Sequence, residues 1–122
     1  MNVYKSSIWE YMKISLQDAA NQLQQNPAEL FVKLFAHGSM SIELYKPVDQ
    51  DFQTPHQQDE LYIIASGTGE LFINSERFAF VAGDVLFVPA GIEHRFQNFS
   101  ADFATWVIFY GEQGGEKPYL NP

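Results

Sequence analysis

From Glu29 onward the chain breaks into short runs of Val, Ile, Phe, Tyr and Leu, separated at close intervals by Gly, Pro, Asn, Asp and Ser. Such a pattern is that of an all-β sandwich or barrel. The strands predicted are 30–37, 39–46, 59–65, 70–74, 77–81, 85–88, 93–97 and 103–110. Local chemistry supplies the turns between them: Ser66-Gly67-Thr68-Gly69 and Asn74-Ser75-Glu76 suit hairpins, Ala82-Gly83-Asp84 a tight reversal, and Pro89-Ala90-Gly91 a turn with proline leading. The polar stretch from Pro47 to Pro55 reads as the longest loop.

Before Glu29 one short helix is expected, with Ser15 capping Leu16 to Gln25 and Asn26-Pro27 ending it. Several strands carry apolar residues on both faces, which an antiparallel sheet with one face in water does not need. In the last strand Phe103, Val107 and Phe109 share one face, and Trp106, Ile108 and Tyr110 the other. A barrel interior accounts for one face, and the helix or a second subunit for the other. The aromatics of the N-terminal segment, Tyr4, Trp9 and Tyr11, fit a subunit contact too.

Composition narrows the chemistry. At 122 residues the chain is one domain, long enough to hold a single core without a disulfide or metal staple. It has no cysteine, so disulfides, thiolate zinc sites, iron–sulfur clusters and cysteine nucleophiles are excluded, and any metal must rest on His, Asp, Glu or amide ligands. With 15 acidic against 7 basic side chains, it is a poor partner for nucleic acid or an anionic membrane surface. Neither a secretory leader nor a membrane-spanning segment is legible, so a soluble cytoplasmic protein is the expectation.

Two of the three histidines stand in informative surroundings. Gly83, Pro89, Gly91, His94 and Asn98 follow the spacing G-x5-P-x-G-x2-H-x3-N. A chance match of five such positions in a chain of this length is on the order of 10⁻⁵ to 10⁻⁴ at ordinary residue frequencies. Upstream, His56, Glu60 and Gly67 are separated by three and six residues.

On these residues the chain resembles the cupin superfamily, in particular its small single-domain members of the cupin-2 type. The second family motif is complete. The first lacks its leading glycine, where Val48 stands, and its first histidine, where Thr54 stands. The resemblance implies a double-stranded β-helix, the cupin jelly-roll barrel, over residues 29–111. Residues 1–28 would form an N-terminal segment whose short helix packs on the barrel or a partner, and residues 112–122 a loose tail.

The resemblance also implies a divalent metal held by His56, Glu60 and His94, with iron(II) or manganese favoured over zinc or nickel. Two imidazoles and one carboxylate leave open positions for water, dioxygen or a chelating substrate. Gln58 and Gln53 are candidates for a fourth ligand in place of the missing histidine. Alternation along a strand would turn Thr54 and His56 inward together, with Tyr62 and Phe96 on the faces of Glu60 and His94. Thr54, Tyr62, Phe96 and Trp106 are the expected pocket lining, and the Tyr62 hydroxyl is the one weak candidate for a catalytic group. Glu43 would be a candidate base if its face pointed inward, but Met40, Ile42 and Leu44 make the opposite face the expected core.

The functional expectation is a cupin that binds a small organic molecule at a metal and acts as an oxygenase or isomerase. The alternative is a non-catalytic binding or sensing barrel with a vacant or structural metal site. Resemblance to small cupins implies a homodimer.

Overall fold

A computed structural model describes residues 11–118 of the chain. One helix, α1 (Leu16–Gln24), precedes eight strands: β1 (Phe31–His37), β2 (Met40–Tyr45), β3 (Asp59–Ser66), β4 (Thr68–Ile73), β5 (Glu76–Val81), β6 (Val85–Val88), β7 (His94–Gln97) and β8 (Ala104–Tyr110). The strands form a five-stranded sheet in the order β1-β2-β8-β3-β6 and a three-stranded sheet in the order β5-β4-β7, every pairing antiparallel. Packed face to face, the two sheets make the jelly-roll barrel expected from the sequence.

Ser15 caps α1 by accepting a hydrogen bond from the Asp18 amide. Ala19 and Leu23 of the helix pack on Leu34, Leu44 and Ala104, covering one corner of the large sheet's outer face. The core proper lies between the sheets, where Tyr62, Ile64, Leu71, Phe80, Val88, Phe96, Phe103 and Val107 form one buried cluster. Its aromatic rings meet at centroid distances of 4.8 to 5.6 Å, the tilted and edge-on packing that ring quadrupoles favour.

Strand bounds differ from the sequence expectation most where the chain passes between sheets. β3 and β4 are separated only by Gly67, so β4 begins at Thr68 rather than at Glu70. Gly67 has φ +82°, and a Cβ there would lie 2.6 Å from Phe103 Cα. No other residue lets the chain bend from one sheet to the other this close to the β8 strand. At the β4–β5 hairpin, Asn74 and Ser75 both take positive φ, the backbone a two-residue hairpin needs.

Two expectations about loops are corrected. Residues 51–56 form no strand, so the alternation that was to turn Thr54 and His56 inward together does not operate there. The segment after β8 is not loose as far as Pro118: Gly111 donates to Ser39 Oγ, Gly114 to the Gln57 carbonyl, and Glu116 to Asp59 Oδ2. Asp59 thus works as an acceptor on the outside, also taking the Ala90 amide. Tyr4 and Trp9 lie outside the described residues, whereas Tyr11 is exposed.

Candidate metal centre

The His56-bearing loop, β3 and β7 converge at one end of the barrel. Glu60 projects inward from β3, with only 1% of its surface exposed, and His94, at 2%, enters from the start of β7. His56 comes from the loop before β3, and its place is set by the second motif's turn: the Gly91 amide donates to the His56 carbonyl. That bond joins the two motif segments and gives Gly91 a role beyond its own turn.

His56, Glu60 and His94 offer three ligand atoms within 4.8 Å of one another, the one such group of His, Asp or Glu among the described residues. Glu60 Oε1 lies 2.8 Å from His94 Nε2 and 3.9 Å from His56 Nε2. Atoms sharing one small divalent ion at bonds of about 2.1 Å stand about 3.0 to 3.4 Å apart; the His94 contact is about 0.2 Å short of that range and the His56 contact about 0.5 Å beyond it, so His56 would close in to share an ion. The donor chemistry fits. His94 Nδ1 lies 2.8 Å from the Ile92 carbonyl and donates to it, which leaves Nε2 as the lone-pair nitrogen aimed at Glu60.

Both Glu60 oxygens and His94 Nε2 are buried without a hydrogen-bond partner, because the close His94–Glu60 approach is not aligned as a hydrogen bond. Leaving three such buried atoms unsatisfied is costly. A cation shared by them removes that cost. The imidazole's charge balance reflects the same surroundings: burial depresses the His94 pKa, but the Glu60 carboxylate and the Ile92 carbonyl outweigh it, so the net shift is upward.

Gln53 is the amide best placed to join them. Its Oε1 stands 3.2 Å from His56 Nε2 and accepts a hydrogen bond from the Tyr62 hydroxyl at 3.2 Å. Its Nε2 donates to Asp51 Oδ2 at 2.6 Å. Gln58 is not brought to the cluster, since its Nε2 is spent on the Ser39 and Gly111 carbonyls.

Asp51 is the residue that sequence reading missed. Nearly buried, it accepts from Tyr45 OH at 2.6 Å, from the Gln53 amide and side chain, and from the Phe96 amide at 2.8 Å. It ties the loop carrying Gln53 and His56 to β2 and β7. A lone Asp in a polar loop carries no spacing signal, so only the fold reveals it.

A cavity of about 520 Å³ opens from the cluster, with His56, Glu60 and Gln53 on its inner wall and Glu43, Tyr45, Val107 and Phe109 along β2 and β8. The expected lining is therefore revised. Thr54 is exposed and does not border the cavity. Trp106 points to the outer face, where it borders a separate groove with Ile42, Ile63 and Ile108. Phe96 and Tyr62 are core residues behind the site, with Tyr62 packed on Phe96 and 6.2 Å from the His94 ring. Glu43 does face inward, against expectation, because Leu44 rather than Glu43 meets the helix. Burial raises the Glu43 pKa; Lys33 opposes that shift and the Glu60 charge adds to it. Asn98 donates from its side-chain amide to the Glu70 carboxylate.

Comparison with known proteins agrees with this architecture. An uncharacterised protein of Streptomyces coelicolor, SCO3923, is 33% identical over 81 residues, covering 65% of this chain and 77% of its own. Among solved structures, the DMSP lyase DddQ of Ruegeria pomeroyi DSS-3 superimposes with a TM-score of 0.58 at 21% identity, over 67% of this chain but only 46% of the lyase. The plu4264 protein of Photorhabdus luminescens reaches 0.59 at 21% identity, over 92% and 90% of the two chains. Similarity at that level establishes the fold and leaves the chemistry open. The cupin-domain model Cupin_2 matches residues 42–110, more than half of the sequence, from within β2 to the end of β8. This chain is a member of the Cupin_2 family.

Proposed function

We propose that this cupin is a metal-dependent enzyme acting on a small organic molecule, with His56, Glu60 and His94 as the metal ligands and Gln53 Oε1 as the fourth. The observation that carries this reading is the set of buried, unpartnered Glu60 and His94 atoms opening onto a cavity of small-molecule size. Iron(II) or manganese suits the mixed imidazole and carboxylate set, and zinc or nickel comes next. Such a metal supplies Lewis acidity or redox chemistry, so oxygenation and isomerisation are the reaction classes. The protein's own contribution is positional. Gln53 is held by Asp51, His94 by Ile92, and the cavity walls of Val107 and Phe109 keep bulk water from the inner end. Glu43 is the carboxylate available to accept a proton in the cavity.

One observation favours the alternative, a binding barrel without turnover. The Tyr62 hydroxyl is already committed to Gln53 and buried behind it, which removes the single hydroxyl offered as a catalytic group. Metal analysis of protein purified without chelators tests the site. Stoichiometric metal, lost in His94→Ala, supports it, and metal uptake unchanged by that substitution refutes it. Across a metabolite panel with iron restored, oxygen consumption or product formation identifies an enzyme; thermal stabilisation alone identifies a binder.

For the second subunit expected from the sequence we propose the outer face of the large sheet as the contact. Cross-strand register aligns Phe35, Ile42, Ile108, Leu61 and Phe87 in one row across all five strands, and Val32, Leu44, Trp106, Ile63 and Val85 in the next. Among the described residues helix α1 covers the Leu44 end, Met12 and Ile14 border the groove over Ile42 and Trp106, and Phe87 at the other edge is 50% exposed. With no charged side chain in these two rows, this face would let two acidic copies meet with their charges at the rim. Sedimentation should give a dimer that Leu61→Lys dissociates; a monomeric wild type at micromolar concentration refutes the contact.

A further inference from the structure

The cavity's charge and ring content point to the class of molecule it takes. Three carboxylates border it, those of Glu29, Glu43 and Glu60, and no Lys or Arg does. Lys33 is the cross-strand neighbour of Glu43, yet it is exposed and stays off the cavity wall. Even with a divalent ion bound, three carboxylates outweigh it. An anionic ligand would therefore enter a negative field without a single guanidinium or ammonium to receive it.

The mouth adds aromatic surface. Phe52, 76% exposed, and Phe31, 46% exposed, stand at the opening, with Tyr45 and Phe109 further in. Large exposed phenylalanines cost solubility and are worth asking about when they cluster at one opening. Rings combined with carboxylates, and no Lys or Arg on the wall, are the chemistry that receives an organic cation, whose charge is drawn both to π-faces and to the acids. Glu60, at 1% exposure the most deeply buried of the three acids, belongs to the metal site, so Glu43 and Glu29 are the acids left to meet a positive group on the ligand.

We infer that the cavity selects small organic cations, alkylated ammonium compounds in particular, with Glu43 as the residue that sets the charge preference and Phe31, Phe52 and Tyr45 as its aromatic partners. The inference rests on the metal-site reading only in placing the ligand beside His56, Glu60 and His94. It names the ligand class that reading left open.

A series of equal shape and different charge tests it: choline, the neutral 3,3-dimethylbutan-1-ol and the anionic 3,3-dimethylbutyrate, titrated calorimetrically into the metal-loaded protein. Choline should bind about 10-fold or more tighter than the alcohol, and the carboxylate about 100-fold more weakly than choline. Glu43→Gln should shrink the choline preference to about 3-fold or less and leave metal stoichiometry and the alcohol's affinity in place. Phe52→Ala, at a position exposed enough not to endanger folding, should weaken choline more than the alcohol. Equal or tighter binding of the carboxylate overturns the inference. So does an unchanged preference in Glu43→Gln, or no binding of any of the three to protein whose metal content is confirmed. Failure of the metal site would show separately, as absent metal in the wild type before any ligand is added.

Discussion

Replacing Asp51 with asparagine is the most incisive perturbation of this molecule, because the change is one atom and the structure says where it must fail. Oδ1 of Asp51 accepts from Tyr45 OH and the Gln53 amide, and Oδ2 accepts from Gln53 Nε2 and the Phe96 amide. Asparagine keeps one acceptor oxygen and presents an NH₂ group on the other side. Whichever way its amide turns, that NH₂ faces one backbone N–H, of Gln53 or of Phe96, and one side chain, the Tyr45 hydroxyl or the Gln53 amide, that must turn to accept from it. The backbone donor loses its acceptor at about 1–3 kcal/mol, and the turned side chain loses its present partner. The other two bonds lose their ionic character.

The expected destabilisation is about 3 kcal/mol, with Asp51→Ala at least as costly. For a domain of this size that corresponds to a fall in Tm of about 10 °C. Urea unfolding of wild type, Asp51→Asn and Asp51→Ala at neutral pH measures it, and the urea slope should stay constant while the midpoint falls. Losing its hold on Gln53 should also lower metal affinity by about 10- to 100-fold. An Asp51→Asn protein within about 0.5 kcal/mol of wild type would show that water satisfies these donors, and the proposed role of Asp51 would be withdrawn.

Gly67→Ala should destabilise by about 3 kcal/mol or more, since its methyl meets Phe103 backbone at 2.6 Å in a positive-φ conformation; near-normal urea stability would contradict this packing. Because burial raises the Glu43 pKa in the folded state, that residue's contribution to stability is full below the ordinary carboxylate pKa and is lost as pH rises through the raised value. In the metal-free protein Glu43→Gln should therefore stabilise at neutral pH and converge with wild type near pH 4, as paired urea curves at the two pH values would reveal. The His94 pKa is raised as well, so in the metal-free protein its stabilising contribution is complete below about pH 6.5 and fades above. A metal needs the neutral ring, so metal affinity should weaken as pH falls through that raised value; competition titrations showing pH-independent uptake between pH 5.5 and 8 would refute it.

Much of the barrel was legible in one dimension because its signals are local. Gly83, Pro89 and Gly91 are turn residues at set offsets, and His56, Glu60 and His94 sit at motif spacing. Each of these is specified by a few neighbours along the chain. Apolar residues on both faces of the last strand announced that both faces of the sheet needed cover, which the core, α1 and the open outer face now account for. Trp106 and Glu43 were placed wrongly for a shared reason. Strand alternation says which residues lie together and not which face is the inside, and a short helix docked on Leu44 decided that.

Composition and spacing thus determined the fold class, the exclusion of thiolate chemistry and the three residues of the cluster. Tertiary structure alone decided the rest of the site: Gln53 rather than Gln58, the four-way acceptor Asp51, the inward carboxylate of Glu43, and the bond from Gly91 to the His56 carbonyl. These depend on contacts between segments far apart in the chain, 45 residues for Asp51 and Phe96 and 53 for Gln58 and Gly111. A hydrogen bond across such a distance leaves no periodicity or spacing in the chain, since its partners are chosen by where the loops close and not by the residues beside them.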